Sequence, residues 1–283
     1  MYRIVRRRVL NPTVTQIEVE APLVARKARP GQFIILRVDE DGERIPLTVA
    51  GTDPKEGTVK VIFQVVGATT EALNHRLEGD FIQDFAGPLG VPTHTEGLKN
   101  VCVIGGGAGC AIAMPVAEEF HRLGAKVTSI IGFRHKDLLI LEDEFKACSD
   151  KLIVMTDDGS YGRHGNVTIP LKEMLEAGEA FDMVIAIGPL IMMKFVVAAA
   201  RPFKVPVTVS MNPIMIDGTG MCGGCRLTLV QEDGTRVTKF ACVDGPDFDG
   251  YQIDFDEAMS RSRMYFDFER HAHEEACRLF AKA

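Results

Sequence analysis

Asp217, Cys222, Cys225 and Cys242 are the residues of this 283-residue chain whose types and spacing carry the most chemistry. They form the run D-x4-C-x2-C-x16-C, with glycines at 218, 220, 223 and 224. Soft thiolates are the ligands of iron–sulfur clusters, and a loop that wraps a cluster needs the backbone freedom of glycine. Plant-type 2Fe-2S sites read C-x4-C-x2-C with a distant fourth cysteine, so Asp217 stands where the first thiolate belongs. Three readings stay open from the residues, in this order: a 2Fe-2S site with Asp217 as fourth ligand, a structural zinc site, and a reactive CxxC pair. Zinc accepts three thiolates and a carboxylate, but its motifs usually pair two CxxC knuckles and only one is present. A thioredoxin-like pair opens a helix, whereas Cys225 leads into RLTLVQEDGTRVTKFACV, a hairpin pattern with Asp233-Gly234 at its turn. That hairpin is expected to return Cys242 to the first two thiolates.

A second set of residues suits dinucleotides. Arg44-Ile-Pro46-Leu47-Thr48 joins a fixed cation to a hydroxyl at the end of a short strand, which suits a dinucleotide phosphate beside a flavin ring; by itself the run reads first as an ordinary edge strand with an exposed arginine. Gly67-Ala-Thr69-Thr70 opens a helix, where backbone N–H groups and the helix dipole favour a diphosphate, and where simple capping is the plainer role. Gly105-Gly106-Gly107-Ala108-Gly109 lies between a strand and a helix, but Cys110 occupies the place of the third glycine in G-x-G-x-x-G. The next strand ends in Gly132-Phe-Arg134-His-Lys136 and not in an acid, so a plain dehydrogenase fingerprint is disfavoured. Asp157 and Gly188 follow later strands and can serve a ribose and a nicotinamide, or be surface turns. Met192 and Met193 read as helix core, and His271 and His273 as solvated. Cys102, Cys110, Cys148 and Cys277 share no spacing and read as buried apolar thiols.

Two kinds of scaffold must position these groups. Residues 1–97 show short β-rich runs (YRIVRRRVL, TVTQIEVE, QFIILRV, PLTVAG, TVKVIFQVV) with Gly turns and one helix, TTEALNHRL, the pattern of an antiparallel barrel. GPLGVPTHTEG makes a boundary, and residues 98–210 alternate strand and helix from VCVIGGG to PVTVSM, the rhythm of a parallel sheet. Residues 211–250 hold the cysteine module and 251–283 a charged helical tail. The net charge of −7 argues against a nucleic-acid binder, and 46% hydrophobic content supports two cores. The basic N-terminus MYRIVRRRVL is followed by no apolar run, and no segment reads as a membrane span, so a cytoplasmic protein is expected. The odd count of seven cysteines fits no disulfide framework.

The order of these motifs resembles the ferredoxin-NADP reductase superfamily: a flavin-binding β-barrel with R-x-P-[LY]-[ST], then an α/β nicotinamide-binding domain with a glycine-rich first turn and a later Gly-Pro. With the C-terminal 2Fe-2S module, nearly the whole chain is similar to two families, the electron-transfer subunit of dihydroorotate dehydrogenase B and the small subunit of NADH-dependent reduced ferredoxin:NADP oxidoreductase. The first has four cysteines in the cluster motif; Asp217 and the segments TDDGSYG, IGPLIMMK and ACVDGP resemble the second, an electron-bifurcating family. That resemblance implies FAD held by Arg44, Pro46, Leu47 and Thr48, with its diphosphate at Gly67, Thr69 and Thr70. It implies NAD(H) lined by Gly106, Gly107, Gly109, Asp157 and Gly188, and a 2Fe-2S cluster on Asp217, Cys222, Cys225 and Cys242. It also implies a larger partner subunit with FAD and 4Fe-4S clusters that binds NADP(H), and ferredoxin reached through the complex. Where the superfamily often has a cysteine before Gly-Pro, Ile187 stands here. Arg134 and Lys136 can attract a 2′-phosphate, so NAD against NADP stays open. The alternatives are the dihydroorotate dehydrogenase subunit and, outside enzymes, a redox sensor or structural zinc protein on the same fold.

Overall fold

The computed structural model describes residues 1–280, with side chains through Glu274. Strands β1 (Tyr2–Asn11), β2 (Val14–Glu20), β3 (Phe33–Arg37), β4 (Arg44–Asp53), β5 (Thr58–Gln64), β6 (Phe81–Ile82) and β7 (Asp84–Leu89) form one antiparallel sheet in the order β6-β1-β2-β5-β4-β3-β7, a nearly closed barrel. Alternation drives the closure. In β5, Val59, Val61 and Phe63 point inward and are at most 3% exposed, against Ile4, Ile17, Leu36 and Phe85 from the facing strands.

Two helical segments interrupt this barrel, where the sequence suggests one. Helix α1 (Pro22–Ala25) is a single turn begun by a proline, a residue whose fixed φ suits that position. Helix α2 (Ala68–Asn74) is shorter than its sequence pattern, which runs on through His75, Arg76 and Leu77. Tertiary bonds take over at its end: Asn74 Oδ1 accepts from Thr15 Oγ1 at 2.7 Å and from Arg7 Nη2 at 3.1 Å.

The second sheet contains β8 (Asn100–Gly106), β9 (Lys126–Phe133), β10 (Lys151–Thr156), β11 (Arg163–His164), β12 (Met183–Ile187) and β13 (Val207–Ser210), all parallel, in the order β11-β10-β9-β8-β12-β13. Helices α3 (Cys110–Arg122), α4 (Glu142–Ala147), α5 (Thr168–Glu176) and α6 (Leu190–Ala200) connect the strands. Both faces are covered, which is why Val101, Cys102, Val103 and Ile104 form a continuous apolar run with no exposure at all. Cys102, Cys110 and Cys148 lie in this domain's cores as apolar thiols; the side chain of Cys277 lies outside the described residues.

After β13 comes a loop of glycines and cysteines, then the hairpin β14 (Arg226–Val230) and β15 (Arg236–Phe240) and a turn of helix, α7 (Ala241–Asp244). Strand β16 (Asp247–Asp249) then adds to the parallel sheet as an antiparallel edge beside β13. Helix α8 (Phe255–Ser262) packs on α6, and α9 (Phe266–Phe280) reaches back to α2 on the barrel. There His273 lies 3.8 Å from Glu71, so this histidine has a carboxylate neighbour where solvent alone is expected.

The two domains are tied through the segment between them. Val91 N–H donates to Gly245 O at 2.7 Å, Thr93 N–H to Pro30 O at 2.9 Å, and Thr93 Oγ1 to Asp247 Oδ2 at 2.6 Å. Among the described residues, no helix is long and apolar enough to cross a membrane.

Candidate functional site

Strand β4 offers a platform on the outside of the barrel. Its residues 44–48 pair with β3, in the register Phe33↔Thr48, Ile34↔Leu47, Ile35↔Pro46 and Arg37↔Arg44, while its pairing with β5 begins only at Val49. The β5-facing edge of that stretch therefore carries backbone groups outside the ladder, and Ile45, Pro46, Leu47 and Thr48 are all half-buried. A planar ring with polar edges fits such a strip, since it covers apolar side chains and engages backbone groups together. Arg44 is exposed at the start of the strip.

At the start of α2, Thr70 is occupied within the protein. Its Oγ1 accepts from Val66 N–H and Gly67 N–H, each at 3.0 Å, and donates to Gly67 O at 2.9 Å. The hydroxyl thus shapes the turn, which is the capping role, and the contact groups for an anion would be backbone. Thr69 is half-buried and its Oγ1 donates at 3.5 Å to Glu43, while a side chain placed on Gly67 would meet nothing within 4 Å.

The glycines after β8 differ from one another in function. Gly107 has φ +55°, a left-handed conformation that costs other residues about 1–2 kcal/mol. Gly109 is needed for closeness: a Cβ there would stand 2.4 Å from Ile187 O and 2.7 Å from Gly188 Cα. The start of α3 is thereby pressed onto the end of β12, at the point where the strand order reverses and open α/β sheets bind ligands. The sequence places both Met192 and Met193 in the helix core, but only Met193 is fully buried. Met192 instead lays its thioether across Gly106 and Gly188; a Cβ on Gly106 would come within 2.3 Å of its sulfur, and one on Gly188 within 2.8 Å of its methyl.

Asp157 is exposed just after β10, its N–H bonded to Phe133 O at 3.0 Å. Strands lie about 4.8 Å apart, so the three steps from β10 through β9 and β8 to β12 separate Asp157 from Gly188 by roughly 14 Å. That is a span a dinucleotide can bridge. Beside Asp157, Asp158 accepts from Ser160 N–H, and Ser160 Oγ accepts from Lys136 N–H, which fixes the turn.

In the cluster loop, Asp217 Oδ2 accepts from the Thr219 hydroxyl, from Thr219 N–H at 3.0 Å and from Met221 N–H at 3.3 Å. The Thr219 hydroxyl, then these N–H groups, hold the carboxyl below its ordinary pKa. Cys222 is exposed, and its thiol is lowered by N–H groups of Gly224 and then Asp217, the first at 3.5 Å. Cys225 and Cys242 are buried, 1% and 3% exposed; burial and then the neighbouring Cys225 push the Cys242 thiol up to about 12. The hairpin has returned Cys242 to Cys225, and Ala241 N–H donates to Cys225 O at 3.1 Å. Among the described residues, no three His, Cys, Asp or Glu side chains gather as they would around a single ion. The donors stand as two pairs, Asp217 beside Cys222 and Cys225 beside Cys242, which suits a binuclear cluster better than one tetrahedral zinc.

The cysteine loop leans directly on β3, the strand paired with the 44–48 stretch of β4. Gly218, at φ +80°, has no room for a side chain, because a Cβ would stand 2.8 Å from Ile35 and 2.9 Å from Leu89. Ile35 is the register partner of Pro46. Arg44 and Asp217 line one cavity of about 310 Å³ with Ile35, Asp84, Phe85 and Ala86.

Comparison with known proteins agrees with this layout. Residues 212–254 match the iron–sulfur cluster binding domain of dihydroorotate dehydrogenase B. A Thermotoga maritima protein described as a homolog of the dihydroorotate dehydrogenase B (NAD(+)) electron transfer subunit is 46% identical, over 96% of this chain and 94% of its own. A chain from the solved NADH-dependent reduced ferredoxin-NADP oxidoreductase, a structure concerned with flavin-based electron bifurcation, is 45% identical over 97% of both chains, with a TM-score of 0.89. The Amycolatopsis cytochrome P450 reductase GcoB, at 20% identity and a TM-score of 0.60 over 72% of this chain, shares the fold.

Proposed function

Because the chain belongs to the family of the dihydroorotate dehydrogenase B electron-transfer subunit and the small subunit of NADH-dependent reduced ferredoxin-NADP oxidoreductase, we propose that it exchanges hydride between NAD(H) and FAD and passes single electrons through a 2Fe-2S cluster to a larger subunit. Bound FAD and cluster supply the conversion between two-electron and one-electron transfer; the protein supplies orientation and electrostatics. The observation that carries the reading is the Gly218 contact on Ile35, which sets the cysteine loop one strand from Pro46.

Within that reading the flavin site belongs to residues 1–97, the NAD(H) site to 98–210 and the cluster to 211–250, with 251–283 as a tail. The edge of β4 from Arg44 to Thr48 orients the flavin, and Arg44 balances negative charge there. Gly67, Thr69 and Thr70 form the diphosphate turn, with Thr70 holding its shape from within. Gly106, Gly107 and Gly109 let the NAD(H) diphosphate approach backbone, Gly188 faces the nicotinamide and Asp157 accepts from a ribose hydroxyl. Ile187 is 2% exposed and presents no thiol to the nicotinamide. Asp217, Cys222, Cys225 and Cys242 ligate the cluster, and metal binding requires the three cysteines as thiolates. No side-chain acid or base is needed for the hydride transfer, and the one proton left when two electrons depart would pass to solvent.

The partner we infer is a larger flavin and 4Fe-4S subunit that binds NADP(H) and delivers electrons to ferredoxin. Affinity purification of the native complex under anaerobic conditions tests this. Recovery of a multi-cluster flavoprotein supports it, whereas recovery of an FMN-containing dihydroorotate oxidase would assign the chain to pyrimidine synthesis instead.

A further inference from the structure

Helix α8 belongs to the tail, which the proposed function leaves without a task. Its Arg261 reaches 37 residues back along the chain, where Nη2 donates at 3.2 Å to the carbonyl of Gly224. Gly224 lies between Cys222 and Cys225, and its own N–H donates at 3.5 Å to Cys222 Sγ. The guanidinium therefore grips the loop between its two thiol ligands.

The helix that presents Arg261 is itself well held. Asp254 caps it by accepting from Glu257 N–H at 2.9 Å, and Phe255 and Ala258 are buried beneath it. Two other cations beside this helix are paired: Lys194 with Asp256 at 2.6 Å, and Arg236 with Asp254 and Glu257 at 2.8 and 2.9 Å. Among the described residues, no ion pair includes Arg261. Its charge is left to act on the loop.

We propose that Arg261 is a positioning residue for the cluster loop whose fixed cation raises the reduction potential of the 2Fe-2S cluster, an inference that rests on the assignment of Cys222 and Cys225 as ligands. Reduction adds one electron to the site, and a nearby positive charge stabilises the more negative state. Arginine stays charged at any working pH, so the bias is permanent. The hydrogen bond adds a second effect. In a trans peptide the N–H points opposite to the C=O, so holding the Gly224 carbonyl also fixes the direction of the Cys225 N–H. Net charge and hydrogen bonds near the sulfurs are the levers by which proteins set cluster potentials.

The test uses the full chain purified anaerobically, with iron and sulfide measured first and the midpoint potential then read by mediated dithionite titration under EPR. Arg261→Gln keeps a donor for the Gly224 carbonyl and removes the charge, while Arg261→Lys keeps the charge. The expected result is a one-electron equilibrium shifted roughly tenfold toward the oxidised cluster in Arg261→Gln, about 59 mV lower, with Arg261→Lys close to wild type. A wild-type potential in Arg261→Gln, or an equal drop in both variants, would overturn the proposal. Absence of iron and sulfide from the wild-type chain would instead overturn the ligand assignment beneath it.

Discussion

Replacing Gly109 with alanine is expected to damage the proposed nicotinamide site and the stability of its domain together. The added Cβ would stand 2.4 Å from Ile187 O, 2.7 Å from Gly188 Cα and 2.8 Å from Ile187 C, all backbone atoms at the end of a central strand. None can swing aside as a side chain would, so α3 and β12 must separate. Overpacking of this kind costs about 1–3 kcal/mol, and the upper end applies because the neighbours are backbone. For a chain of this size each kcal/mol lowers the melting temperature by about 2–4 °C, so a fall of roughly 6–12 °C is expected. The displacement opens the crevice between Gly106 and Gly188, and a misplacement of about 1 Å at a reacting centre can cost on the order of 100-fold in rate. Gly106→Ala is the matched control, because its Cβ meets chiefly the flexible end of Met192, at 2.3 Å from the sulfur. Calorimetry on both variants, with NADH-dependent flavin reduction by Gly109→Ala, decides the matter. If Gly109→Ala melts and reacts like wild type, or if Gly106→Ala melts lower than Gly109→Ala, the steric argument is wrong.

Other substitutions probe separate parts of the site. Thr70→Ala removes the acceptor for Val66 and Gly67 N–H groups, and should cost about 1–2 kcal/mol in unfolding experiments while weakening FAD retention on gel filtration. Asp217→Cys converts the ligand set to four thiolates and should change the EPR spectrum of the reduced cluster; an unaltered spectrum and midpoint potential would remove Asp217 from the ligand set. Asp247, whose Oδ1 is buried without a partner, has its carboxyl raised above the ordinary 3.8 by burial, which outweighs the hydrogen bond from Thr93. The folded state thus binds the proton more tightly than the unfolded state, so stability falls as pH rises from 3.8 through the raised value. Asp247→Asn should remove that part of the slope, as read from denaturant midpoints across the acid range; an unchanged slope would contradict the burial argument.

Period-two alternation in residues such as Val59, Val61 and Phe63, and the unbroken apolar run of β8, make the barrel and the parallel sheet legible from the sequence. Cysteine spacing likewise marks the segment that matches an iron–sulfur cluster binding domain, because thiolates are used for properties no other residue supplies. What the sequence hides is set by contacts between distant segments. The end of α2 at Asn74 depends on Thr15 and Arg7, and the position of His273 depends on Glu71. Met192 and Met193 look alike in the sequence, yet one fills the core and the other covers the glycine turn, a difference of a single helical step. The Thr70 hydroxyl is turned inward to the backbone, which a motif of hydroxyls at a helix start cannot reveal. Arg261 carries no local signal at all, since its partner lies 37 residues away.

The central claim is that a flavin and a cluster stand in electronic contact within this one chain. Anaerobic addition of NADH to the purified protein, followed in one sample by flavin absorbance and EPR, tests it most directly. The account predicts that NADH bleaches the flavin and that the signal of a reduced 2Fe-2S cluster appears with it. A chain that contains zinc and no flavin, or a flavin that bleaches beside a cluster that stays oxidised when its potential permits reduction, would contradict it.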